Sequence, residues 1–322
     1  MKKQEIDWKP QTGVETLRRR GELLSRIRKF FDAAGVLEVE TPLLASATAT
    51  DVHIQSLQVS GSAIAPENTM YLQTSPEFSM KRLLGFGSGP IYQICKSFRD
   101  EEAGKRHNPE FTMLEWYQPG YSMMDLMDEV DELIQNLLGC ESIQRVSYRD
   151  IFQQLFGFDP HEIQLKDLRT YADSKMDLNS NDLEKTDLLQ LLLDANIETS
   201  FPTNLFIYDF PIEQSALAVI EQDSDGVPVA KRFELFCNGM EIANGYFELL
   251  DSIEQRRRFE ADIAKRSEKG LAEYPLDEKL IAAMESGIPA CAGVALGVDR
   301  LLMLLTESSS ISQVISFSTG RA

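Results

Sequence analysis

The stretch that decides the fold runs Pro90-Ile91-Tyr92-Gln93-Ile94-Cys95-Lys96-Ser97-Phe98-Arg99-Asp100-Glu101, passes through the polar loop Glu102-Ala103-Gly104-Lys105-Arg106, and returns as His107-Asn108-Pro109-Glu110-Phe111-Thr112-Met113-Leu114-Glu115-Trp116-Tyr117. Its strand-forming residues predict one strand ending at Arg99 and a second, antiparallel one from Phe111 to Tyr117. Arg99 stays charged at any workable pH and presents a planar fork of donors suited to phosphate oxygens. Glu101, two residues on, can accept hydrogen bonds from an amine, and Phe111 offers a flat face to a base.

Far downstream, Gly293-Val294-Ala295-Leu296-Gly297-Val298-Asp299-Arg300 places a second arginine after a glycine-rich strand, where a backbone can approach a ligand closely. The P-loop spacing of glycines, lysine and Ser or Thr is absent. Taken singly, Phe-Arg-Asp-Glu also describes a solvated ion-pair cluster, and Gly-x-x-x-Gly a packing turn. In this order they imply a site that holds ATP and stabilises charge at its α-phosphate.

Outward from these segments, apolar residues at Val14, Leu17, Leu24, Ile27 and Phe31 predict a helix over 14–34, with Gly35 at its C′ position. Val36 to Thr41 reads as a strand that Pro42 stops. Met70 to Thr74 reads as a short strand running into the turn Ser75-Pro76-Glu77, which presents a carboxylate. Ser122 and Asp125 form a capping box for a helix that Gly139 ends. Residues 141–202 read as a mainly helical insertion, with Leu183, Leu188, Leu191 and Leu192 on one amphipathic helix. Leu205 to Phe210 is a strand. Phe233 to Cys237 and Glu241 to Phe247 form a hairpin through Asn238-Gly239, the strongest short-range hairpin signal. Helices are expected over 254–268, 276–286 and 298–305. Strands joined largely by hairpins, with helices outside, predict an antiparallel α+β sheet and not a Rossmann fold.

Together these segments resemble the catalytic domain of class II aminoacyl-tRNA synthetases, closest to the lysine-specific group. The resemblance rests on Gly35 to Leu44, Phe98 to Glu115, Arg232 to Leu249 and Gly293 to Arg300, and covers nearly the whole chain. It implies that Arg99 binds the α-phosphate and the amino acid carboxylate, and that Arg300 binds the γ-phosphate. Asp100 belongs to the same ATP-binding stretch. Glu101 and Asn108 would hold the adenine edge, Phe111 would stack on the ring, the backbone near Gly297 would line the pocket, and Ile242 belongs to the same ATP-binding set. Glu234 and Glu241 match positions that hold Mg2+. Glu115, Tyr117 and Glu248 match residues that hold a lysine ε-ammonium, with Ser75, Pro76 and Glu77 meeting the backbone amine. Ala295 departs from the glycine of lysyl-tRNA synthetases. Its methyl group should narrow the pocket, which suits an amine moved to the β-carbon. The helix over 14–34 and the following strand would build a homodimer interface.

The chain of 322 residues has room for one large catalytic domain, 1–322, and not for an added anticodon-binding barrel. Its net charge of −19 works against binding nucleic acid. The basic run Arg18-Arg19-Arg20 with Arg26, Arg28 and Lys29 is either a docking stripe or a solvated helix face. These features resemble the stand-alone relatives of lysyl-tRNA synthetase that ligate β-lysine or lysine to elongation factor P, so no productive tRNA charging is expected. A truncated tRNA-charging enzyme and a non-catalytic regulator are the other two readings.

No apolar run reaches the length of about eighteen residues needed to span a membrane. The first residues lack the apolar core of a signal peptide, so a cytoplasmic enzyme is expected. Cys95, Cys140, Cys237 and Cys291 are too dispersed for a zinc motif or a disulfide framework.

Overall fold

The structure, a computed structural model, describes residues 8–60, 69–100, 103–176, 178–201 and 203–322. Among them the elements run in the order α1 (Val14–Ala33), β1 (Leu37–Glu38), β2 (Leu44–Ala45), β3 (Gln58–Val59), β4 (Met70–Leu72), α2 (Glu77–Phe86), β5 (Ile91–Phe98), β6 (Glu110–Pro119) and α3 (Met123–Leu138). There follow β7 (Gln144–Ser147), α4 (Tyr148–Phe156), α5 (Leu165–Met176), α6 (Lys185–Ser200), β8 (Leu205–Phe210), β9 (Ile220–Gln222), β10 (Pro228–Cys237) and β11 (Met240–Phe247). The chain closes with α7 (Ser252–Glu268), α8 (Glu278–Gly287), β12 (Cys291–Gly297) and α9 (Val298–Leu305).

Among the described residues the main sheet has nine strands, ordered β1-β5-β6-β12-β11-β10-β8-β7, with β9 paired to β10. The centre is antiparallel, as expected, while the outer pairs β1–β5 and β7–β8 are parallel. Side chains alternate between faces. Trp116, Val294, Leu296 and Leu235 therefore point to one side, into the main core with α1, α3 and α9. The opposite face carries Glu115, Tyr117, Ala295, Asn244 and Glu234, and this face builds the site.

The capping box at Ser122 forms as expected, with Ser122 and Asp125 exchanging bonds, and Gly139 closes α3 in the left-handed region. The Asn238-Gly239 turn also forms, with both residues at positive φ. A Cβ at Gly239 would lie 2.4 Å from Glu198 Cα.

Several sequence expectations need correction. The stripe of α1 is Leu23, Ile27 and Phe31, spaced four apart, and Val14 is exposed. The strand expected over Val36 to Thr41 pairs only at Leu37–Glu38, because the chain leaves β5 before Pro42. Ser75-Pro76-Glu77 is a helix start: Pro76 is the N-cap of α2 and Glu77 lies in its first turn. On α6 the buried residues are Leu188, Leu189, Leu192, Leu193 and Ile197, with Leu191 exposed and Leu183 before the helix. Within 141–202, β7 joins the main sheet through β8, while α4 to α6 pack a second apolar cluster around Tyr148, Phe152 and Leu189.

The basic residues of α1 are not one solvated face. Arg20 turns inward and pairs with buried Asp299. Arg26 donates to the carbonyls of Asn136 and Leu137 at the end of α3, where a cation suits the helix dipole. Arg28 pairs with Glu38 at 3.0 Å. No helix among the described residues is long and apolar enough to cross a membrane. The four cysteines are free thiols, of which Cys237 and Cys291 are buried.

Candidate active site

Register brings distant parts of the sequence side by side. One row across the sheet reads Gln93, Glu115, Ala295, Asn244, Glu234 on β5, β6, β12, β11 and β10. The next row, two residues along, reads Ile91, Tyr117, Gly293, Tyr246, Arg232. Gly293 is glycine for a steric reason. A Cβ there would stand 2.3 Å from the Tyr117 ring and 2.5 Å from Glu248 Oε1.

Ser75, Glu77, Arg99, Glu115, Tyr117, Glu248 and Ala295 line a single cavity over this face. At its base Glu115 is buried and accepts hydrogen bonds from Ser75 Oγ at 2.7 Å and Tyr117 Oη at 2.7 Å. Burial first, then Glu77, pushes its carboxyl up to about 7, against those hydrogen bonds and Lys81. Glu248 is also buried, and its carboxyl is pushed up to about 8 by burial, with Lys81 opposing. Burial and these carboxylates hold the Tyr117 hydroxyl well above its ordinary value, so it stays a neutral donor. Two buried acids that bind protons near neutral pH mark a place where a cationic ligand would be bound in the proton's stead.

Lys81 was not anticipated. It lies on α2 one turn after Glu77, its side chain only 2% exposed. Its ammonium meets Glu77 at 2.7 Å and Glu248 at 2.5 Å. The Glu-x-x-x-Lys spacing signals such a pair on a helix, but only once residues 77–86 are read as one.

The second half of the site gathers around Arg300. Its guanidinium donates to the Glu241 carbonyl at 2.8 Å and the Glu241 carboxylate at 3.4 Å, and lies 2.6 Å from His107 Nε2. It also donates to the Arg106 carbonyl, which ties the loop after β5 to α9. Gly297 N-caps α9, and a Cβ there would sit 3.7 Å from Arg300 Cδ. Arg99 stacks over the Phe111 ring at 5.2 Å. The backbone amide of Asp100 donates to the Gln55 carbonyl. Glu101 lies outside the described residues.

The Asn108 side-chain amide donates to the Glu110 carbonyl and accepts from Thr319, which ties it to the C-terminal turn. The Ile242 side chain is buried in the main core, so it can offer only backbone to a ligand.

The acidic pair on β10 and β11 offers oxygen donors of the kind a hard cation takes, with Glu234 paired to Arg232 and Glu241 to Arg300. Glu234 is buried and Glu241 half exposed. Burial pushes the Glu234 carboxyl up to about 7; Arg232 lowers it and Glu241 raises it. A divalent ion would relieve that repulsion, and carboxylate oxygens are the donors Mg2+ prefers. Arg232, missed in the sequence, pairs with Glu234 and stacks over Phe210 at 4.5 Å. Arg266 was also missed. It is fully buried, donates to the carbonyls of Asp51, Ile54 and Ala272, and stacks on Tyr274 at 4.1 Å. It thereby fastens the segment containing Asp51 and Ile54, part of the cavity wall.

The comparisons with known proteins agree with this geometry. The family model "tRNA synthetases class II (D, K and N)" matches residues 1–321. The chain is 48% identical over 322 residues to the elongation factor P–(R)-β-lysine ligase of Edwardsiella ictaluri, covering 98% of each chain. It is 46% identical over 321 residues to the ligase of that name from Pectobacterium atrosepticum, and 47% identical over 322 residues to that of Pseudoalteromonas translucida, again with 98% of each chain covered. The family match over residues 1–321 and this full-length similarity place the chain in the class II tRNA synthetase family of the D, K and N type.

Proposed function

We propose that the protein activates (R)-β-lysine, or lysine, with ATP and transfers the acyl group to the ε-amine of a lysine on elongation factor P. One observation carries the amino acid part: buried Glu115 and Glu248, with Tyr117, share a cavity with Arg99. A diamino acid would place its ammonium groups among the carboxylates and its carboxylate toward Arg99 and the α-phosphate of ATP. The relatives' shared name supports elongation factor P as acceptor.

Little covalent work falls to the protein, so positioning and electrostatics dominate the rate. The substrate carboxylate attacks the α-phosphorus; the bond from that phosphorus to the bridging oxygen breaks, and pyrophosphate leaves. Arg99 stabilises charge at the α-phosphate, and Arg300 holds the γ-phosphate. Phe111 and the backbone at Asn108, Ile242 and Gly297 hold the base. Mg2+, when held by Glu234 and Glu241, neutralises phosphate charge. The neutral acceptor amine then attacks the acyl carbon and releases AMP. Homodimerisation through α1 and β1, where Val14 and Leu37 are exposed, and a cytoplasmic location belong to the same reading.

The deciding experiment incubates the protein with ATP, Mg2+, (R)-β-lysine or lysine, and either elongation factor P or bulk tRNA. A mass gain on the protein acceptor is the expected result. Charging of tRNA with no modified protein would overturn it.

A further inference from the structure

Three carboxylates, Glu77, Glu115 and Glu248, line the amino acid cavity, and the Lys81 ammonium touches two of them, Glu77 and Glu248. The cavity is also lined by Asp51, Asp262 and Asp277 and by Arg258, whose guanidinium is paired with Glu254. Glu248 and Lys81 are 1% and 2% exposed, so water screens neither. Leaving a buried ion without its partner is far costlier than leaving an exposed one. Once a bound cation displaces the protons that Glu115 and Glu248 hold near neutral pH, the group of Glu77, Glu115, Glu248 and Lys81 carries a net charge of −2.

We infer that Lys81 is a positioning residue that fixes the charge count of the pocket, so that the site is completed by an amino acid bearing two ammonium groups. The inference rests on the lysine-like substrate proposed above. A diamino acid brings the total to zero, its own carboxylate being matched by Arg99. A neutral-side-chain amino acid leaves one buried carboxylate uncompensated. Without Lys81, even a diamino acid would leave one. Lys81 also holds Glu77 and Glu248 in place, since it touches both. Burial alone would drive its proton off; Glu248 and then Glu77 outweigh this and keep it charged.

The test uses lysine-dependent ATP–pyrophosphate exchange over a range of pH, with KM for lysine or (R)-β-lysine and KM for ATP read separately. Lys81→Met is expected to raise the amino acid KM by about tenfold or more while the ATP KM stays within about twofold. Its optimum for amino acid binding should move to higher pH, because the extra uncompensated carboxylate holds a proton longer. Lys81→Arg should recover most of the loss.

The decisive comparison is between Glu248→Gln and the double variant Lys81→Met/Glu248→Gln. The single change leaves a net −1 and the double restores −2, so the double should bind the diamino acid more tightly than the single. Because the double removes both members of a buried pair, it also decides the matter should Lys81→Met alone fail to fold. An unchanged amino acid KM in Lys81→Met, a joint rise of both KM values that Lys81→Arg does not reverse, or a double variant no better than Glu248→Gln would each overturn the inference. If the wild-type protein activates no lysine-like amino acid, the functional reading fails instead.

Discussion

Glu115 and Ala295 stand directly opposite one another on β6 and β12, both lining the cavity over the sheet. The carboxylate that would meet a substrate ammonium is thus a cross-strand neighbour of the methyl group that limits the room beside it. Ala295→Gly should raise kcat/KM for α-lysine relative to (R)-β-lysine, by a factor corresponding to about 1–3 kcal/mol. The ratio of the two kcat/KM values measures it, and an unchanged ratio would show that Ala295 does not set the choice.

Arg99 lines the cavity and stacks on Phe111, and in the proposed reaction it stabilises charge at the α-phosphate. Arg99→Ala should lower the exchange rate by about two to three orders of magnitude, the scale for losing one donor to a transition-state oxyanion. Wild-type exchange in this variant would remove Arg99 from the chemistry.

The raised carboxyls fix the sign of a pH effect. Burial brings Glu115 to about 7 and Glu248 to about 8 from a usual value of 4.5. The folded state therefore holds these protons more tightly than the unfolded chain, and the stability they contribute is lost as pH rises from about 4.5 to 8. The melting temperature of the ligand-free protein should fall across that window more steeply in wild type than in Glu115→Gln. Saturating lysine should flatten the wild-type curve. Parallel curves for wild type and Glu115→Gln would contradict the buried-acid account.

Gly293→Ala should force a clash with the Tyr117 ring and Glu248 Oε1. A destabilisation of about 1–3 kcal/mol is expected, as for overpacking a core, with a larger rise in KM for the amino acid than for ATP. Urea unfolding and exchange kinetics read the two parts separately.

Asp299 sits beside Arg300 in sequence but points away from it, accepting from the Thr112 amide and pairing with Arg20 of α1. Arg20→Ala should destabilise the fold by about 3–5 kcal/mol, the range for stranding a buried charge. Arg19→Glu, on an exposed side chain that pairs loosely with Glu15 and donates to the Leu305 carbonyl at 3.3 Å, should cost about 1 kcal/mol or less. Equal effects of the two in denaturant unfolding would refute this division of the basic run.

The sequence by itself determined the alternation of strands and helices, because local signals decide those: the capping box at Ser122, the Asn238-Gly239 turn and the period-two strands around Arg99 and Glu115. It also determined the resemblance, since ordered charged and glycine motifs survive without coordinates. Only the tertiary structure decided partnerships. Register across five strands sets Glu115 beside Ala295 and Asn244 beside Glu234, and no local pattern encodes which residue faces which. Lys81 gives no signal of its own in the sequence and Arg20 reads as one member of a basic run, yet packing buries each against a carboxylate, Lys81 at Glu77 and Glu248 and Arg20 at Asp299. Charge is written in the sequence, but burial sets its energetic weight, and burial exists only once the chain has folded.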